Sequence, residues 1–97
     1  MGENDFEWDD AKREDNIRKH RIDFNDVHAV FDGPFLLRSS IQGGEKRMLA
    51  IGLLDDREVT VVFTIRNAKR RIISARRART DEREAFQDSL GRIQSKP

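Results

Sequence analysis

The sequence predicts an α+β domain: a small antiparallel sheet of about four main strands plus a short N-terminal strand, with two N-terminal helices and one C-terminal helix. Three observations predict it. Between residues 35 and 77 four strand-length apolar runs are separated by short turn-forming pairs, which calls for an antiparallel meander. Before them Asp9 and Asp23 stand where helix N-caps belong, and after them Thr80 opens a last helical pattern. At 97 residues the chain is long enough for one hydrophobic core, so residues 1–97 are expected to form a single domain, with its core over about 6–90 and a loose tail at 94–97.

Phe6-Glu7-Trp8 alternates apolar and polar, as a short strand does. Asp9 then offers an N-cap oxygen and Asp10 complements the positive first turn of a helix to about His20. That helix holds only Ala11 and Ile17 as apolar residues, so it belongs on the surface, held by its ends. Asp23 caps a second helix, with Ile22 placed to staple against Val27 and an apolar face of Phe24, Val27, Val30 and Phe31 that Gly33-Pro34 terminates. Strands are predicted at about Phe35–Ile41, Arg47–Leu54, Glu58–Ile65 and Arg70–Arg77, with turns at Gln42-Gly43-Gly44, Asp55-Asp56 and Asn67-Ala68. On the third, Val59, Val61, Phe63 and Ile65 face the core, and Glu58, Thr60, Val62, Thr64 and Arg66 face away. Strict alternation on the fourth would set Arg70, Ile72, Ser74 and Arg76 on one face and Arg71, Ile73, Ala75 and Arg77 on the other. Thr80 is read as the cap of the last helix, which runs to about Leu90-Gly91 with Ala85, Phe86 and Leu90 as its apolar stripe.

Charge is the strongest functional signal. Arg66 to Arg83 holds eight basic residues, seven of them arginine, against Asp81 and Glu82 alone. Residues 1–65 carry nine basic and fourteen acidic side chains, whereas residues 66–97 carry ten and four, although the whole chain is close to neutral at +1. Such a division argues for one anion-binding face on an otherwise ordinary domain. Arginine suits a phosphodiester, because its planar fork donates two parallel hydrogen bonds to phosphate oxygens. The competing reading, a solvated surface whose arginines pair with the acidic N-terminal half, stands beside it.

Other chemistry is thinly represented. Without cysteine there is neither a disulfide framework nor a thiolate nucleophile, which suits the cytoplasm. No apolar run has the length of a membrane span, and the N-terminus is acidic where a signal peptide would be basic. No cofactor and no metal are expected: there is no cysteine, no histidine pair at helical spacing and no calcium-loop pattern. His20 and His28 alone have ordinary pKa values suited to proton transfer near neutrality. His28 reads as structural, and His20 as either a proton-transfer group or the cap of the first helix. Glu82 and Glu84 read as possible bases or as ordinary first-turn acids.

Three segments resemble one family: FEWDDAKREDNIRKH at Phe6 to His20, DFNDVHAVFDGP at Asp23 to Pro34, and RRIISARRARTDERE at Arg70 to Glu84. The chain is similar there to BrnT, the toxin of a bacterial toxin-antitoxin pair, over about Phe6 to Leu90. The resemblance implies a domain akin to the RelE-type ribonucleases, RNA cleavage that halts growth, and a BrnA-type antitoxin whose ribbon-helix-helix part binds operator DNA. It places basic site residues at Arg66, Arg71, Arg76 and Arg77, with His20 matching the family's Lys-His. Asp10 replaces a frequent proline and Arg21 a frequent glycine, and Phe86 stands where tyrosine is common, so no tyrosine hydroxyl takes part.

The leading expectation is a metal-independent endoribonuclease toxin in which the RNA 2′-hydroxyl attacks, with Arg66, Arg76, Arg77, His20 and Glu82 as catalytic residues. Lys69, Arg70, Arg71, Arg79 and Arg83 would bind the RNA. The alternative is a non-catalytic subunit that uses the same basic face for nucleic acid or an acidic protein. An antitoxin dimer holding two toxins, docked over the sheet and the last helix and partly burying the strand face at Val62 and Thr64, is the expected partner.

Overall fold

The computed structural model describes residues 6–94, so the predicted tail falls, beyond Gln94, outside the described residues. Its elements are β1 (Phe6–Glu7), α1 (Asp10–His20), a single 3-10 turn (Phe24–Asp26), α2 (His28–Asp32), β2 (Phe35–Gln42), β3 (Glu45–Leu54), β4 (Arg57–Arg66), β5 (Lys69–Arg77) and α3 (Thr80–Gln94). They form one five-stranded sheet in the order β1-β5-β4-β3-β2. The four long strands pair antiparallel through two-residue turns. Both central residues of each turn have positive φ, at Gly43-Gly44, Asp55-Asp56 and Asn67-Ala68, the backbone twist that tight hairpins need. The N-terminal strand departs from the antiparallel expectation: β1 pairs parallel to β5, Phe6 opposite Arg70. A parallel neighbour needs a long connection, and helices and hairpins supply it.

One sheet face carries the main core. Ile22, Phe24, Val27 and Val30, from the segment before β2, close over Ala50, Val59, Val61, Phe63, Ile72 and Ala75. The second predicted helix is split: Asp23 caps the 3-10 turn through Asn25 N–H, and a five-residue α2 follows. Close approach here depends on Gly52, where a Cβ would meet Val30 Cγ1 at 3.0 Å and the Pro34 carbonyl at 3.2 Å. On the other face α3 packs on β2 and β3, where Phe86, Ile51 and Thr60 are all shut off from solvent. The helix covers one end of that face and leaves the rest open.

Helix α1 has too few apolar residues to be held by burial, and a polar device holds it instead. Asn16, buried on α1, accepts from the Ala75 N–H (3.2 Å) and donates to the Ala75 carbonyl (2.9 Å) and the Ile22 carbonyl (2.9 Å). Its side-chain amide thus continues the edge pairing of β5 after β1 has ended, satisfying strand groups that burial would otherwise orphan. Arg13, with no part in the functional reading of the sequence, holds Asp23 through both carboxylate oxygens at 2.7 and 2.8 Å. That contact is the main reason the Asp23 carboxyl titrates below its ordinary range, with the Asn25 N–H adding to it.

Helix α1 ends at His20, as expected, and the residue that follows is strained. Arg21 keeps the left-handed conformation (φ 61°, ψ 30°) with its N–H on the Ile17 carbonyl. A side chain in that region costs energy that glycine does not pay. Arg21→Gly is therefore expected to stabilise the fold by about 0.5–1 kcal/mol, read as a higher melting temperature. An unchanged or lower value would show that the Arg21 side chain compensates elsewhere.

Candidate nucleic-acid interface

The face left open by α3 is where the arginines gather, and a bulge in β5 decides which ones. Pairing runs Thr60 to Arg76, Val61 to Ala75 and Val62 to Ser74, then jumps so that Phe63 meets Ile72 and Thr64 meets Arg71. One residue, Ile73, is extra, and it shifts the alternation of everything before it. The strict alternation predicted for β5 is therefore corrected. Arg71 and Arg76, five positions apart and predicted on opposite faces, share the face that α3 covers at one end, with Thr60 under the helix and Val62 and Thr64 beyond it. Arg70 and Arg77 lie opposite Ile65 and Val59, on the face that carries the main core.

Two adjoining hollows mark the open face. The first, about 390 Å³, is lined by Arg66, Arg71, Arg47, Lys12 and Thr64, among others. The second, about 180 Å³, is lined by Arg47, Arg76, Arg79, Ser40 and Ser74 around an apolar floor of Leu49, Val62 and Ile73. Arg47 and Ile73 belong to both.

The arginines here differ in how far their charge is already engaged. Arg76 is committed: its two terminal nitrogens reach Glu82 Oε1 at 2.8 Å and Oε2 at 3.0 Å. Thr60 Oγ1 and the Arg79 N–H also donate to Glu82 Oε1, each at 2.8 Å. The Arg76 contact foremost, then these two, hold the Glu82 carboxyl down at about 2 against burial, which acts to raise it. Glu82 is thus anionic at neutral pH and almost fully buried. It also reaches back to the residue before the helix, so Arg79 takes the N-cap position that the sequence assigned to Thr80, and Thr80 is the first helical residue. Gly91 does not end this helix, which continues to Gln94.

Arg71 is half-buried with Glu7 Oε2 at 3.4 Å. Arg66 and Arg79 are exposed, and among the described residues no side-chain hydrogen bond or ion pair holds their guanidinium groups. Lys69, opposite Arg66 beside the hairpin tip, shares that face and is exposed. The remaining predicted site residues lie elsewhere. Arg70 stacks over Phe31 at 4.4 Å and Phe6 at 5.6 Å, beside an aromatic hollow of about 560 Å³ on the far face. Its charge is spent on ring faces. Arg77 is exposed on that far side. Arg83 points to Thr80 at 3.5 Å beside a separate hollow lined by Glu58, Glu84 and Gln87. His20 is exposed at the end of α1, and among the described residues no hydrogen bond or ion pair joins it to the arginines. His28, exposed, faces Asp32 at 3.3 Å.

Arg47 was missed in the sequence because it lies outside the basic stretch, next to Glu45 in a mixed-charge hairpin. The usable signal was register: it is two positions from Leu49 on a strand whose even and odd residues separate cleanly. Among the described residues no three His, Cys, Asp or Glu side chains stand close enough to share a metal ion, and no helix is long and apolar enough to cross a membrane. Compared with known proteins, residues 8–82 match the family model of the ribonuclease toxin BrnT of type II toxin-antitoxin systems. No match was found among curated proteins.

Proposed function

The chain belongs to the BrnT family of ribonuclease toxins of type II toxin-antitoxin systems, and from that premise we propose that it cleaves RNA in the arginine groove, in the cytoplasm, without a metal ion. One observation carries this reading: the bulge at Ile73 brings Arg71 and Arg76 onto the open half-face beside Arg66, Arg79 and Arg47. In the proposed reaction the RNA 2′-oxygen bonds to the adjacent phosphorus as the bond to the 5′-oxygen breaks. Water takes the 2′-hydroxyl proton and returns one to the departing 5′-oxygen. Arg66, Arg71 and Arg79 bind the phosphates, and their guanidinium donors meet the charge that grows on the pentavalent phosphorus. Glu82, its oxygens already engaged, acts by fixing the Arg76 fork at the groove wall. His20, Arg70, Arg77 and Arg83 take no part in this version of the site.

Family membership implies an antitoxin partner. The finer proposal is a BrnA-type ribbon-helix-helix antitoxin whose dimer holds two toxins and covers the groove and α3 with an acidic segment, competing with RNA for the same guanidinium groups. Likeness to RelE-type ribonucleases belongs to the same proposal, supported by the helix-flanked, mostly antiparallel sheet.

Purified protein incubated with RNA in EDTA tests the chemistry. Fragments ending in a 2′,3′-cyclic phosphate and starting with a 5′-hydroxyl are expected. RNA that is bound yet stays intact would favour the non-catalytic binding subunit instead.

A further inference from the structure

We infer that Arg47 anchors two successive phosphates of a single-stranded RNA, with the base between them lying on the apolar shelf of Leu49, Val62 and Ile73. This rests on reading the groove as an RNA site and adds which strand form it takes and which residue centres it. Three observations converge on Arg47. Among the described residues it is the one cation common to both hollows, so a backbone running from the Arg66 side to the Arg79 side passes it. Its guanidinium is weakly committed, with Glu45 at 3.5 Å as its acidic contact, in contrast to the doubly bonded Arg76. Its Nε is buried with no hydrogen-bond partner among the described residues. A buried donor left unmade is costly, so an anion that draws the fork outward relieves a deficit that the free protein carries.

The shelf decides the strand form. Leu49, Val62 and Ile73 are only half-buried and lie between cations, a small apolar floor where a phosphate gains nothing. A base face gains by covering it, and only an unpaired base can turn its face outward while its phosphates stay on the arginines. A duplex would offer its phosphates to Arg66 and Arg79 and leave the shelf wet.

Binding of a 2′-O-methyl RNA nonamer, which the 2′-hydroxyl route cannot cleave, is measured by fluorescence anisotropy as a single strand and as its duplex. Arg47→Gln is expected to weaken single-strand binding about 100-fold, and Arg66→Gln or Arg79→Gln about tenfold each, since each lost charge-assisted contact is worth roughly a factor of ten. The duplex should bind more weakly than the strand and be little changed by Arg47→Gln. An Arg47→Gln loss no greater than that of Arg66→Gln, or duplex binding as tight as strand binding, overturns the inference. Should Arg47→Gln melt early, Arg47→Lys serves, with an expected loss of about tenfold because the fork is gone and the charge remains; wild-type affinity in that variant also overturns it. Strand binding without cleavage of unmodified RNA would remove the ribonuclease reading and leave this one intact. A wild-type protein that binds no RNA removes both.

Discussion

Glu82→Ala is expected to lower stability by about 3–5 kcal/mol, the usual cost of stripping one partner from a buried ion pair. For a domain of this length that is a fall in melting temperature on the order of 15 °C or more. Three donors lose their acceptor at once: the Arg76 fork, the Thr60 hydroxyl and the Arg79 N–H. The same carboxylate sets an acid limb. Glu82 titrates near 4.5 when unfolded and at about 2 in the fold. Between those values the unfolded chain takes up a proton that the folded chain refuses, so stability is fully present above about 4.5 and drains away as pH falls toward 2. Glu82→Gln keeps an acceptor for Thr60 and Arg79 and removes the titration. Its unfolding free energy should therefore vary less than that of the wild type across this window in urea titrations. Parallel acid limbs, or a Glu82→Ala protein melting within a few degrees of the wild type, would remove Glu82 from this role.

The hairpins were legible because turn chemistry is local. Asp55-Asp56, Asn67 and the Gly43-Gly44 pair mark turns whatever the rest of the chain does, and the structure gives them positive φ. What escaped was set by distant partners. The bulge at Ile73 carries no glycine to announce it, and it lies two residues from Ala75, where the Asn16 amide meets β5. One unannounced residue was enough to swap the faces assigned to Arg70 and Arg71. Asn16 looked like one more polar residue on a polar helix. In retrospect a helix without an apolar stripe, yet with a clear N-cap and C-cap, needed some buried anchor, and an uncharged amide among charges was the candidate. The Arg76 and Glu82 pair spans the end of a strand and the start of a helix, a separation of six residues that no periodicity flags. Hence the reach of the sequence was long for the arginine-bearing strand as a whole and short for which arginine does what.

Arg76→Ala should abolish growth inhibition by unfolding the protein, because it strands a buried carboxylate, whereas Arg71→Ala should abolish it with the fold intact. The pair of substitutions Arg76→Met and Glu82→Gln separates structure from chemistry. Removing both charges together is close to neutral for stability, since a buried ion pair returns little beyond its own desolvation, and the Gln amide oxygen still accepts from Thr60 and Arg79. If the Arg76 fork is spent on Glu82, RNA cleavage by this double variant should fall no more than about tenfold. Arg71→Ala, which removes a donor proposed to bind the phosphates, should cost about 100- to 1000-fold, the range for losing one transition-state contact. A folded double variant as inactive as Arg71→Ala would give Arg76 a direct role at the scissile phosphate. Glu82 would then be the group that aims it.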